Sequence, residues 1–177
     1  KKNSQSTFSI YGKAKLLSTK YLMAIYKKEK FPATVIRLYL VYGPKQDINR
    51  VIPITIKNAL LDKKFNCSTG LQFRDFIYID DVINAILKTL KNIKTNGEII
   101  NIGSNKPVRI KDLIIRICSL VGSGKPIFGK IKLRKDEIKF LYPNINKAYK
   151  ILKWRPKISL NTGLKRTIKY YKNAKFN

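Results

Sequence analysis

The chain is predicted to be an α/β protein, because short β-branched runs alternate along it with longer segments of helical period. Three stretches carry that prediction. Phe8 to Lys28 (FSIYGKAKLLSTKYLMAIYKK) places Ala14, Leu17, Tyr21 and Ile25 at three- and four-residue steps, the spacing of one buried helical stripe. Ala33 to Pro44 (ATVIRLYLVYGP) and Gly97 to Gly103 (GEIINIG) are apolar, β-branched and closed by glycine, as buried strands are.

The elements follow in order. The first helix gathers Lys27, Lys28 and Lys30 at its end, where the helix dipole favours cations, and Phe31-Pro32 stops it. The strand from Ala33 carries Arg37 as its polar member. Val51 to Lys64 is predicted helical, with Pro53 in the first turn, where a missing N–H costs nothing. Phe73 to Ile79 (FRDFIYI) alternates as a strand, and Asp80-Asp81 is expected to cap the next helix. Val108 to Val121 is predicted helical and closed by Gly122 to Gly124. Asn144 to Leu152 and Ser159 to Tyr171 are the last helices, joined through Trp154-Arg155-Pro156, with fraying expected beyond Tyr171.

Composition sets limits on function. The 177 residues suffice for one domain with a core, and 44% hydrophobic content is that of a globular chain. No run is long and apolar enough to cross a membrane, so a cytoplasmic protein is expected. The first residues run towards a helix with no preceding strand, so the chain is expected to be the later portion of something longer. The net charge is +28. Thirty of the 38 basic residues are Lys, and they are spread over the whole length with no compact arginine stripe. Nucleic acid is therefore expected to bind only nonspecifically, at low salt. The absence of His excludes Ser-His-Asp and Cys-His catalysis within the chain, and with it His-ligated zinc. Cys67 and Cys118 lack metal-site spacing and read as two buried thiols.

Tyr, Lys, Arg and carboxylates remain to carry chemistry. Tyr11 and Lys15 are four residues apart and share a helix face. A tyrosine titrates near about 10, and a neighbouring ammonium favours its phenolate, which would make it a better general acid or base near neutral pH. The same spacing also describes an ordinary surface pair, common in a lysine-rich chain. Arg74 and Arg134 lie near element ends, where a guanidinium can grip phosphate bidentately, and few acids exist to pair with them. Asp75, Asp80 and Asp81 fall within seven residues. A capping pair and an ion-paired Asp75 are preferred to a metal cluster, so no metal is expected.

The order of six segments resembles the NAD-dependent epimerase/dehydratase family, the extended short-chain dehydrogenases that act on nucleotide sugars. The segments are YGKAK at Tyr11, RLYLVYGP at Arg37, VIP at Val51, RDFIYIDDV at Arg74, GEIINIGSNKPV at Gly97 and LKWRPKISLNTGLKRTI at Leu152. The resemblance implies the C-terminal part of a Rossmann-like parallel sheet plus a smaller α/β substrate-binding lobe. Residues 1–50 and 73–103 would mainly close the cofactor sheet, and residues 51–72 and 104–177 would mainly form the lobe. The glycine-rich NAD-binding N-terminal half would be absent.

The resemblance also implies roles. Tyr11 would be the catalytic acid/base, and Lys15 would hold the ribose of NAD or NADP. Leu38, Tyr39 and Val41 would border the nicotinamide. Leu40, Arg50 and Val51 would face a nucleotide-diphosphate sugar, Arg74 and Arg134 would hold its diphosphate and nucleotide end, and Glu137 would lie near its ribose. Leu40 stands where the family usually has Asn, and Ser9 and Thr7 are too near Tyr11 to be its catalytic Ser or Thr. The expected function is an epimerase, dehydratase or 4-keto reductase, homodimeric when complete, with a weaker pointer to CDP- or dTDP-deoxysugars. Alternatives are a non-catalytic fragment that binds sugar nucleotides and a basic nucleic-acid binder. With no adenosine-diphosphate site, the chain alone is expected not to bind NAD tightly.

Overall fold

The computed structural model describes residues 10–134 and 136–174. The expected helix start at Phe8, Ser9 and Thr7, and the last residues of the tail, lie outside the described residues. The first helix, α1, spans Ile10–Glu29, and Lys30 adopts φ 57° to end it one residue before Phe31-Pro32. Its expected buried stripe is not buried. Leu17 is 64% and Tyr21 67% exposed, and Thr19 is the buried residue of the helix. The face that meets the sheet carries Leu16, Thr19 and Met23 instead, opposite Arg37 and Ile99. Periodicity finds an apolar face but does not say which of two faces meets the rest of the chain.

The run from Ala33 to Pro44 is two strands rather than one. β1 (Val35–Leu38) pairs in parallel with β6 (Ile99–Ile102), and β2 (Leu40–Tyr42) pairs in parallel with β5 (Phe76–Tyr78). The chain changes sheets at Tyr39. FRDFIYI divides in the same way. β4 (Phe73–Arg74) joins a three-stranded sheet between β7 (Val108–Arg109) and β9 (Phe140–Leu141), and Asp75 separates it from β5. β4 runs antiparallel to β7 and parallel to β9. Val108 and Arg109 are thus strand, and the helix expected from Val108 begins at Ile110.

Helix α2 (Val51–Leu60) buries Ile52, Pro53, Thr55, Ile56 and Ala59 and ends four residues before the expected Lys64. Asp62 turns the chain with φ 45°, a conformation aspartate tolerates, and Lys64–Asn66 becomes β3, parallel to β8 (Lys125–Ile127). Helix α3 (Ile79–Leu90) leads through a 3-10 turn at Ile93–Thr95 into β6. Helix α4 (Ile110–Val121) closes on Gly122, whose φ of 89° and N–H bond to the Cys118 carbonyl form a left-handed cap that glycine adopts without strain. Helices α5 (Asn146–Leu152) and α6 (Leu160–Asn173) are the last elements of the described residues, with Ser159 capping α6 by accepting from the Thr162 N–H.

Two cores result. One gathers Tyr42, Phe76 and Tyr78 with Ile52 and Ile56 of α2, Leu113 and Ile117 of α4, and Leu164 and Ile168 of α6. Gly163 lets α6 close on it, since a Cβ there would stand 2.1 Å from the Tyr42 hydroxyl. The other joins Ile77, Ile100 and Ile102 to Val82 and Ala85 of α3, Ala148 and Leu152 of α5, and the buried Trp154.

Candidate active site

The first turns of α1 present Tyr11 and Lys15 together. The Lys15 ammonium stands 5.6 Å from the centroid of the Tyr11 ring, and the Lys15 carbonyl accepts from the Thr19 hydroxyl. The pairing that the spacing predicts is therefore present, with the charge over the ring. Tyr11 is 72% exposed.

The switch between β1 and β2 is pinned by backbone bonds. The Tyr39 N–H donates to the Ile102 carbonyl, and the Leu40 N–H donates to the Asp75 carbonyl. Leu38 and Leu40 are left exposed on either side of half-buried Tyr39, and the Val41 carbonyl accepts from the Gln46 side chain. Burial, and then the Asp75 carboxylate, push the Tyr39 phenol up, while Arg37 pulls it down. Arg50 sits exposed at the N-cap of α2, and Val51, the first helical residue, packs against the first core.

Arg74 is buried, and its guanidinium donates to its neighbour's carbonyl at Phe73 and forms an ion pair with Glu137. Arg134 is exposed on the same turn as Glu137, whose N–H donates to the Arg134 carbonyl. The structure thus brings Arg74, Arg134 and Glu137 together on the β4–β9 side. The sequence offers few acids to Arg74, and Glu137 is the one that pairs with it.

The aspartates also differ from expectation. Among the described residues Asp75 pairs with no cation. It is 0% exposed, and its carboxylate accepts from the Ser104 N–H at 2.6 Å, the Ser104 hydroxyl at 2.9 Å and the Lys106 N–H at 3.1 Å. Asp80 and Asp81 lie in the first turn of α3 rather than at its N-cap, which is Tyr78. Buried Asp81 accepts the N–H groups of Lys157 and Ile158, while Asp80 meets Arg166 on the surface. Among the described residues no three His, Cys, Asp or Glu gather as metal ligands. Ser104 escaped sequence reasoning. Its signal is an aspartate inside the apolar run FRDFIYI, which needs donors that the run itself does not hold.

Two cavities accompany these residues. One of about 340 Å³ lies between the Ser104–Val108 loop, Arg116 and the start of α6. The other, of about 270 Å³, lies under α1 beside Arg37. Neither is lined by Tyr11 or Lys15.

The profile of the NAD dependent epimerase/dehydratase family matches residues 1–103. The chain belongs to this family. The match takes in Tyr11, Lys15, the Leu38–Val41 switch, Arg50, Val51 and Arg74, while Arg134 and Glu137 lie beyond it. The chain is 32% identical over 170 residues to the dTDP-D-glucose 4,6-dehydratase of Bos taurus, covering 92% of this chain and 47% of that one. It is 36% identical over 141 residues to the CDP-abequose synthase of Salmonella typhimurium, covering 75% and 46%. A UDP-glucuronic acid 4-epimerase from Bacillus cereus, solved with UDP-glucuronic acid and NAD, superposes with a TM-score of 0.85 at 33% identity, over 94% of this chain and 54% of that one. The fold is thus a Rossmann-like α/β arrangement, and the chain spans about half the length of the curated relatives it matches.

Proposed function

We propose that this chain supplies the proton-transfer pair and the substrate-facing part of an NAD(P)-dependent epimerase, dehydratase or 4-keto reductase acting on a nucleotide-diphosphate sugar. The observation that carries the reading is the Tyr11–Lys15 pair, one turn apart on α1, with the ammonium over the phenol, inside the region the family profile matches. In this reading Tyr11 exchanges a proton with a sugar hydroxyl. Arg74, ion-paired with Glu137, and Arg134, whose carbonyl accepts the Glu137 N–H, would grip a diphosphate and its nucleoside. In this reading residues 1–50 and 73–103 border the cofactor and residues 51–72 and 104–177 form the substrate lobe.

The residues present fit one end of the cofactor. Leu38 remains 47% exposed beside Tyr39, apolar surface suited to a nicotinamide face, and Lys15 would hold the adjoining ribose. When bound, the nicotinamide supplies or accepts the hydride. Among the described residues the adenosine-diphosphate end finds no such fit. In the Gly103–Lys106 loop, the Ser104 and Lys106 N–H groups are taken by Asp75, and in the Gly122–Gly124 loop the Gly124 N–H is taken by Asp62. The exposed Leu17–Tyr21 face of α1 is the surface through which the complete protein would form a homodimer. A cytoplasmic site of action accords with this chemistry.

A second reading, a non-catalytic remnant that binds sugar nucleotides, draws on one observation: Tyr11 is exposed and lines neither cavity. Turnover of CDP-, dTDP- and UDP-sugars by the complete protein separates the two readings. Tyr11→Phe should cost about 10²-fold or more in kcat with little change in substrate KM. Unchanged turnover in Tyr11→Phe would refute the acid/base role of Tyr11, and no turnover of any such sugar by the parent protein would leave the remnant reading standing.

A further inference from the structure

We infer that Asp75 is a positioning residue, whose buried carboxylate sets the placement of the substrate-gripping Arg74 by holding the loop that carries β7 back onto it. The inference rests on the reading of Arg74 as a diphosphate ligand.

Four observations meet at Asp75. It is the residue at which the chain leaves the β4 sheet for the β5 sheet, so its own backbone belongs to neither ladder. Its carbonyl nevertheless accepts the Leu40 N–H, joining β4 to the segment proposed to border the nicotinamide. Its carboxylate collects two N–H groups and one hydroxyl from Ser104 and Lys106, residues 29 and 31 positions further on. That loop leads directly into β7, where Val108 pairs with Arg74 and Arg109 with Phe73. The chain therefore closes a ring: Asp75 holds the loop, the loop delivers β7, and β7 flanks Arg74.

A carboxylate does this work where other groups would not. Its two oxygens accept all three donors, Oδ1 from the Ser104 N–H and Oδ2 from the Ser104 hydroxyl and the Lys106 N–H. Asparagine keeps one acceptor oxygen but turns an NH2 towards a donor. Alanine abandons three donors in a site with no exposure. The space is also closed, since a Cβ on Gly103 would stand 2.7 Å from Asp75 Oδ1. Among the described residues no cation neutralises the group, so salt-bridge stabilisation does not explain its burial. Fixed N–H donors do.

A bidentate guanidinium grip tolerates little displacement, so a loosened β4–β7 pair should weaken diphosphate binding more than the chemical step. The test uses the complete protein and a panel of CDP, dTDP and UDP as probes, with calorimetric affinity and steady-state kinetics on the corresponding sugar. Asp75→Asn should raise KM and the nucleoside-diphosphate Kd about tenfold with kcat within about twofold, and Asp75→Ala should do worse. Ser104→Ala, which removes one donor and leaves no buried charge alone, should shift Kd in the same direction by a smaller factor, and it stands in if the Asp75 variants fail to fold. Unchanged Kd and KM in Asp75→Asn and Ser104→Ala, or a loss confined to kcat, would overturn the proposal. Arg74→Met separates the two levels of inference. If it leaves Kd unchanged, the reading of Arg74 fails; if it abolishes binding while the Asp75 and Ser104 variants bind normally, only the role of Asp75 fails.

Discussion

Arg74 and Glu137, 63 residues apart in sequence, meet as the ion pair whose guanidinium is buried, with side-chain exposures of 10% and 26%. The other ion pairs among the described residues stand in solvent, from Lys147–Glu98 to Arg166–Asp80. Exposed pairs contribute little, whereas an uncompensated buried charge is costly.

Glu137→Ala should therefore destabilise the protein by about 2 kcal/mol, because it strands the Arg74 charge. Removing Asp80 from its exposed pair with Arg166 should cost under about 1 kcal/mol. Urea denaturation of the two variants checks this, and equal losses would show that Arg74 is solvated without its partner.

Alkaline pH should unfold the protein with a proton linkage to buried phenols. Burial pushes the Tyr42 hydroxyl up, with Tyr78 and Asp81 adding to the effect, and the Tyr78 and Tyr171 phenols are also raised by burial. The unfolded phenols ionise near about pH 10, below their folded values. The native state then holds more protons than the unfolded one, so stability is full below about pH 10 and falls as pH rises through the folded values. The last part of the tyrosinate absorbance, from the buried phenols, should appear together with the loss of circular dichroism above about pH 10, and Tyr42→Phe should flatten the pH dependence. Full tyrosinate absorbance before loss of the fold would refute it.

The seating of α1 is open to a paired comparison. In a monomer of this chain Leu17→Ala, on the exposed face of α1, should cost under about 0.5 kcal/mol, while Leu113→Ala, 1% exposed in the first core, should cost about 3 kcal/mol. A large loss at Leu17 would mean that a partner covers that face in solution, as the proposed homodimer requires; analytical ultracentrifugation of the same variant would identify it.

Much of this was legible before any coordinates. The helix carrying Tyr11 and Lys15, the proline inside the start of α2, the glycine that ends α4 and the strand at Ile99 depend on neighbours within a few residues, and local chemistry decides them. The strands at Lys64, Lys125 and Phe140 were not legible, because each is two or three residues long and exists only by pairing with a distant segment. The apolar face of α1 was legible as a face, but not its fate, since nothing local distinguishes a side chain facing a core from one facing solvent.

From the residues alone came the α/β alternation, the Tyr11–Lys15 spacing and the family, because helical pitch and motif order are carried by the chain itself. Only the folded arrangement could split ATVIRLYLVYGP and FRDFIYI between sheets, bring Glu137 to Arg74, and close the Ser104–Lys106 loop on Asp75. A buried charge must find its donors wherever the fold delivers them, and that need, unlike a helical period, leaves no mark on the residues in between.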